Sequence, residues 1–193
     1  MSTVAVVKKG GFAAIAADTL TKWGSGKESA AYVENHGKIL QVGDSYLGVT
    51  GTATFKLILA DYFARYPIHG LDRVEEIFRV WQKLHAALKE DYFLQPEEDK
   101  EDALESSRMD VLIASPKGIF GVAAHRTVQE FSRFYAYGSG SDYALGAMFA
   151  AYQRPDLSAE EVALLGVEAA AEFDDGTGLP LMSRSIKLDL SQP

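Results

Sequence analysis

The chain has 193 residues, of which 47% are hydrophobic and 24% are charged, with no cysteine and a formal net charge of -8 at pH 7. This length and composition predict one globular domain, residues 1–193, that buries its own core without a disulfide or a metal. The acidic balance and the scattered basic residues argue against nucleic-acid binding. Because no apolar run has the length of a membrane span and no secretory signal begins the chain, we expect a cytoplasmic protein.

The first half of the chain begins with β-type sequence. Two apolar runs, Thr3–Val7 and Phe12–Ala17, flank the turn Lys9-Gly10-Gly11 and predict a β-hairpin. The polar residues 19–26 then predict a mobile loop. Short β-type runs at 38–42 and 45–50 predict a second hairpin.

Helical periodicity follows from Thr52. Apolar residues recur at spacings of three and four up to Tyr66, and again over about residues 71–93, which predicts two helices. The acidic stretch at 96–102 is interpreted as a solvated loop rather than an interaction tail.

The second half repeats the order of strands and then helices. Residues 109–114, 118–124 and 128–137 predict an antiparallel meander, and 182–190 predict a final strand. Between them lie two more predicted helices, at 143–152 and 158–173, with Ser158 as N-cap and Glu161 at the capping-box position. Two stacked antiparallel sheets, each covered by a helix pair, would bury all these apolar faces, so we expect an α+β fold, a four-layer α-β-β-α sandwich.

Six sequence blocks, in this order, carry a family resemblance. The chain resembles the β-subunits of the proteasome and the HslV-type bacterial peptidases, which are N-terminal nucleophile hydrolases, and it is most like a bacterial proteasome homologue. The resemblance implies the same four-layer fold. The blocks are S-T-V-A-V-V at Ser2, Asp18, N-H-G-K-I-L-Q-V around Lys38, G-V-T-G-T-A from Gly48, Y-G-S-G-S-D-Y-A-L-G from Tyr137 and F-D-D-G-T-G from Phe173.

Ser2 occupies the position of the family's N-terminal nucleophile, which is usually threonine. If Met1 is removed, Ser2 carries an α-amine with an unperturbed pKa of about 7.7–8, which can accept the proton of the hydroxyl. A serine hydroxyl performs the same attack as threonine. Without the methyl group the χ1 angle is less restricted, so slower turnover than that of a threonine enzyme is expected.

The resemblance also assigns Asp18 and Lys38 to the active site. A cation at Lys38 would lower the cost of removing the hydroxyl proton, and Asp18 would pair with that lysine and keep it charged. The alternative is that both are ordinary charges at strand ends.

Four further positions match catalytic positions of the family. The backbone amide of Gly48 corresponds to the oxyanion donor, Ser139 to the serine that binds the terminal amine, and Asp174 with Thr177 to an Asp-x-x-Ser pattern in which threonine replaces serine. Each has a simpler interpretation: Gly48 as a packing glycine, Ser139 as a turn residue and Asp174 as part of a helix-end turn. Asp175 is interpreted as purely structural.

Two residues are candidates for substrate binding. The family's substrate-positioning threonine lies four residues beyond Asp18, where this chain has Lys22, so the nearest candidate is Thr21. Tyr46 is a candidate for the lining of the specificity pocket, with a core tyrosine as the alternative.

The sequence predicts neither a metal nor a cofactor. His36, His69, His85 and His125 lack paired metal-ligand spacing and are interpreted as structural or exposed. The glycine-rich turn at 138–141 is not followed by the lysine of a phosphate-binding loop, which disfavours nucleotide binding.

Taken with the resemblance, these residues predict a ring-forming, threonine-type endopeptidase with serine as nucleophile, which cleaves peptides or unfolded proteins through an acyl-enzyme. The resemblance implies a homo-oligomer of stacked hexameric or heptameric rings and, by analogy alone, an unfoldase ATPase partner. Two alternatives are a catalytically silent ring subunit that acts as a scaffold, since a peptide bond on Ser2 would leave no basic amine, and a small-molecule amidase of the same superfamily.

Overall fold

A computed structural model describes residues 2–95 and 103–189 of the chain. The predicted acidic loop at 96–102 and the end of the predicted final strand lie outside the described residues. The helices are α1 (Thr54–Arg65), α2 (Val74–Glu90), α3 (Ser141–Ala151) and α4 (Ala159–Phe173). The strands are β1 (Thr3–Lys9), β2 (Phe12–Asp18), β3 (Thr21–Trp23), β4 (Gly26–Glu28), β5 (Ile39–Val42), β6 (Ser45–Thr50), β7 (Asp110–Ser115), β8 (Gly118–Val122), β9 (Val128–Phe131), β10 (Phe134–Gly138) and β11 (Leu181–Lys187).

Two antiparallel sheets form the centre of the fold. One has the strand order β10-β1-β2-β11, and the other has the order β5-β6-β7-β8-β9. Alternate side chains of β1 and β2 pack against β7 and β8 in a fully buried layer between the sheets. This inter-sheet core includes Val4, Val6, Ile15, Leu112 and Ile119.

Each outer face of the two sheets is covered by a helix pair. Helices α1 and α2 bury Leu59, Trp81 and Leu84 against the five-stranded sheet. Helices α3 and α4 cover the four-stranded sheet with smaller side chains, such as Ala144 and Ala163. The predicted four-layer α-β-β-α sandwich is therefore confirmed. Within the described residues, no helix is long and apolar enough to cross a membrane.

Two sequence predictions differ from the structure. Where a mobile loop was predicted at 19–26, residues 21–23 and 26–28 pair as the hairpin β3–β4. The predicted strand at 128–137 is two strands: β9 pairs with β8, whereas β10 pairs with β1 in the other sheet. The chain crosses between sheets at Ser132 and Arg133, and neither glycine nor proline marks this crossover. The capping box of α4 is confirmed, since the Ser158 hydroxyl accepts from the Glu161 amide at 3.2 Å.

The two sheets approach each other closely at Gly48 in β6. A Cβ atom on Gly48 would lie 2.5 Å from Val4 Cγ1 and 3.1 Å from Ile15 Cδ1. These contacts leave no room for a side chain, and valine and isoleucine cannot swing aside as a long flexible side chain can. Gly48 therefore has a packing function in the fold, whatever its amide does.

This close approach predicts an energetic coupling across the sheets. We expect Gly48→Ala to lower the free energy of unfolding by about 1–3 kcal/mol because the added methyl overpacks the inter-sheet core. In a Val4→Ala background the same methyl enters space that the valine has left, so the added loss becomes smaller. Denaturant unfolding of the wild type, the two single variants and the double variant measures this coupling. If the losses of unfolding free energy in the single variants add up to that of the double variant within about 0.5 kcal/mol, the packing account is contradicted.

Candidate active site

A cavity of about 850 Å³ opens beside the start of β1. Ser2 and Lys38 lie on its wall, together with residues of β3 and of the segments 49–56, 92–95 and 106–110. Ser2 itself is 5% exposed. The second residue of the chain thus lies in a concave site enclosed by several elements, which is the usual setting of a ligand or catalytic site.

The register of β1 and β2 brings Asp18 to the start of β1. Val4 pairs with Ala17, so Thr3 lies opposite Asp18, and the Thr3 amide donates to Asp18 Oδ1 at 3.0 Å. Lys38 comes directly before β5, and its ammonium donates to the same Asp18 oxygen at 2.7 Å and to the Leu20 carbonyl at 2.6 Å. The two sequence-predicted charges therefore form an ion pair next to the nucleophile candidate.

This ion pair is buried, since Asp18 is 0% and Lys38 7% exposed. Burial raises the pKa of Asp18 and lowers the pKa of Lys38, and in both cases the opposite charge of the partner counteracts burial. The second oxygen of Asp18 accepts from the amides of Leu20 at 3.0 Å and Gly178 at 3.2 Å. Both oxygens of the carboxylate are thus satisfied, as an ionised buried carboxylate requires.

A second polar network lies where β10 meets α3. Asp174 Oδ2 accepts from the Ser139 hydroxyl at 2.7 Å and from the Thr177 hydroxyl at 2.6 Å. The Ser139 amide donates to the Ser2 carbonyl at 3.0 Å. The structure therefore brings together all three residues predicted for this part of the site and connects them to the backbone of Ser2.

Gly138 permits this connection. Its φ is +111°, and a Cβ atom there would lie 1.9 Å from the Ser2 carbonyl oxygen. Only glycine fits so close to another backbone with this conformation.

Thr3 links the two networks, a role that the sequence analysis missed. Its hydroxyl lies 2.6 Å from the Thr177 hydroxyl and accepts from the Gly140 amide at 3.2 Å. A hydroxyl has one proton to donate. Because Thr177 donates its proton to Asp174, Thr3 is the donor to Thr177, and the chain of hydrogen bonds ends on the Asp174 carboxylate. A polar residue in the otherwise apolar run of β1 was the available signal.

The two substrate-binding candidates lie in different places. Thr21, in β3, lines the cavity. Tyr46 is half-buried and packs against the inter-sheet core, and it is not among the residues that line the cavity. Lys22, at the position where the family has its threonine, also lines the cavity and forms an ion pair with Asp175.

Gly48 lies directly before Val49, which does line the cavity.

Among the described residues no group of three or more histidine, aspartate or glutamate side chains could hold a metal ion. His85 is buried and contacts the Ser107 hydroxyl at 2.9 Å and Glu105 at 3.1 Å, on the α2 side of the molecule.

Comparison with known proteins places this chain in a family. No family model and no curated protein matches the chain. Among solved structures the chain is similar to Thiobacillus denitrificans BPH, with 68% identity over 97% of this chain and 99% of that chain and a TM-score of 0.93. A structure of the same protein in complex with epoxomicin gives 67% identity over 96% and 98% of the two chains, with a TM-score of 0.91.

A more distant likeness identifies the fold. Eukaryotic HslV from Trypanosoma brucei is 16% identical over 96% of this chain and 99% of that chain, with a TM-score of 0.67. The fold is therefore shared with HslV, and the high identity to BPH extends over 97% of this chain. The chain belongs to the proteasome/HslV-type family.

Proposed function

We propose that this chain is a peptidase of the proteasome/HslV type whose nucleophile is Ser2. The observation that carries the proposal is the common cavity of Ser2 and Lys38, in which the lysine is bound by a fully buried aspartate, Asp18. The complex of the similar T. denitrificans BPH with epoxomicin supports the proposal. In this chain the reaction requires removal of Met1, because an amide nitrogen on Ser2 cannot serve as a base.

The proposed reaction follows from the chemistry of these groups. The Ser2 hydroxyl attacks the carbonyl of a peptide bond, and the α-amine of Ser2 accepts the proton and passes it to the leaving amine. The resulting acyl-enzyme is an ester, which water hydrolyses. The ammonium of Lys38 favours the alkoxide character of Ser2 during attack, and Asp18 holds that ammonium charged and in place.

The remaining predicted residues position Ser2 and the substrate or stabilise the oxyanion. Ser139, oriented by Asp174, fixes the backbone and the amine of Ser2, and Thr177, also bound to Asp174, holds the hydroxyl of the neighbouring Thr3. The amide of Gly48, beside the cavity-lining Val49, stabilises the oxyanion. Thr21 positions the substrate chain on the cavity wall. Tyr46 has no part in this proposal because its side chain packs into the inter-sheet core.

The shared fold with HslV supports a ring assembly. The proposed form is a homo-oligomer of stacked hexameric or heptameric rings in the cytoplasm, which encloses the cavities and receives unfolded chains from an ATPase. Native mass spectrometry of the purified protein counts the subunits; a monomer at micromolar concentration would contradict the ring.

The role of Ser2 gives a direct prediction. Ser2→Ala keeps the amine but removes the attacking oxygen, so peptide turnover falls by at least about 10³-fold. Ser2→Thr retains turnover because threonine supplies both groups. Ser132→Ala, at the exposed turn between β9 and β10, is the matched control and leaves turnover unchanged. Fluorogenic peptide assays measure the turnover of each variant, and wild-type turnover by Ser2→Ala would refute the assignment of Ser2 as nucleophile.

A second prediction separates the structural and chemical roles of the ion pair. Lys38→Met leaves Asp18 buried without its cation, so the free energy of unfolding falls by about 3–5 kcal/mol. Adding Asp18→Asn removes that charge and restores part of the stability, but turnover stays low because the ammonium is still missing. Lys117→Met, in an exposed ion pair with Asp189, changes stability by less than about 1 kcal/mol. Denaturant unfolding and peptide turnover of each variant test this; full turnover in the double variant would contradict the role of Lys38.

The pKa shift of Lys38 predicts the pH dependence. Turnover rises as the Ser2 amine loses its proton near pH ~7.7–8 and falls again as Lys38 loses its charge. Because burial lowers the pKa of Lys38, the alkaline fall begins below the ordinary lysine pKa of about 10.4. The measurement is kcat/KM against pH, with circular dichroism at each pH to confirm folding. A kcat/KM that levels off and shows no fall below pH ~10.4 would contradict this account.

A further inference from the structure

The cavity beside Ser2 carries an excess of positive charge. Its described lining includes the basic side chains of Lys22, Lys38, Lys56 and Arg108, and one acidic side chain, Asp110. Lys22 pairs with Asp175 and Lys38 with Asp18, so ion pairs already balance two of these cations. Burial raises the pKa of Asp110, whose carboxylate accepts a hydrogen bond from the Ala124 amide at 2.9 Å.

Lys56 differs from the other lysines on this wall. It lies in the first turn of α1, half-buried, and its ammonium donates one hydrogen bond, to the neutral carbonyl of Asn35. Among residues 2–95 and 103–189, no carboxylate forms an ion pair with it. An ammonium can donate three hydrogen bonds, so donor capacity remains on the cavity side.

The position of Lys56 is electrostatically unfavourable without an anion. Burial lowers the pKa of Lys56, and its charge also lowers the pKa of Lys38 by repulsion, so the two ammonium groups affect each other. A negative charge between them would be attracted by both. The hydroxyls of Thr52 and Thr54 on the same wall are further donors for such a group.

We propose that Lys56 selects peptide substrates with glutamate or aspartate as the residue whose carbonyl Ser2 attacks. This rests on the proposed peptidase function. The side chain of that residue is attached to the carbon next to the attacked carbonyl, so it is the substrate side chain that enters the cavity shared by Ser2 and Lys56. Its carboxylate supplies Lys56 with a counter-charge that no carboxylate among residues 2–95 and 103–189 provides, whereas a lysine there is repelled.

The test is a panel of fluorogenic peptides that differ only at this residue, with glutamate, glutamine, leucine or lysine. A charged hydrogen bond in a partly desolvated site predicts a kcat/KM for the glutamate peptide about tenfold above that for its isostere glutamine. The lysine peptide is expected to be the poorest of the four. For Lys56→Met, we expect the ratio of kcat/KM for the glutamate peptide to kcat/KM for the glutamine peptide to fall to about one while the glutamine peptide is still cleaved. For Lys56→Arg, we expect the preference for glutamate to remain.

The control is Lys83→Met, which removes one positive charge from an exposed position on α2 and leaves the ratio unchanged. The inference is overturned if the wild-type protein cleaves the glutamine peptide as well as the glutamate peptide, or if Lys56→Met keeps the preference. If the proposed peptidase function itself is wrong, the Met1-free protein will cleave none of the four peptides. That result would overturn this inference together with the function on which it rests.

Discussion

The buried ion pair of Asp18 and Lys38 connects more of this structure than any other interaction at the site. Asp18 accepts hydrogen bonds from the start of β1, from the residue that leads to β3, from Gly178 before β11 and from Lys38 before β5. Both charges are withdrawn from water, which is costly unless every oxygen and proton has a partner. The same contacts that meet this requirement also hold the four chain segments around Ser2.

Strand order explains how a residue at the beginning of the chain can be held firmly. Chain ends are usually poorly ordered unless an element ties them down. Here β1 lies inside its sheet, between β10 and β2, so the backbone that follows Ser2 is bonded on both sides. The end of β10 continues this support, because the Ser139 amide holds the Ser2 carbonyl and Gly138 lets the two backbones come close.

Local sequence patterns predicted those structural elements that are specified by residues close together in the chain. The first hairpin followed from apolar runs around two glycines, and the start of α4 from Ser158 and Glu161. The crossover from β9 to β10 was missed because it depends on which sheet each strand joins. In the site, Asp18 and Lys38 were recognised through family resemblance, since twenty positions separate them and only the pairing of β1 with β2 and the approach of β5 make them neighbours.

The side-chain alternation of β6 puts two candidates for the site on the same face of the strand. Tyr46 and Gly48 are two positions apart and thus lie on the same face of the strand, which points to the other sheet. That face belongs to the inter-sheet core and not to the cavity. Lys56 carried no pattern in the sequence that revealed its place, because the cavity wall on which it lies is built from segments distant in the chain.

Intact-mass spectrometry of the purified protein, before and after incubation with epoxomicin, tests the central claim most directly. A chain that lacks the mass of one methionine and gains one epoxomicin, with no adduct in Ser2→Ala, would establish Ser2 as a free and competent nucleophile, which is the expected result. A chain that retains Met1 and stays unmodified, or an adduct that persists in Ser2→Ala, would contradict the account.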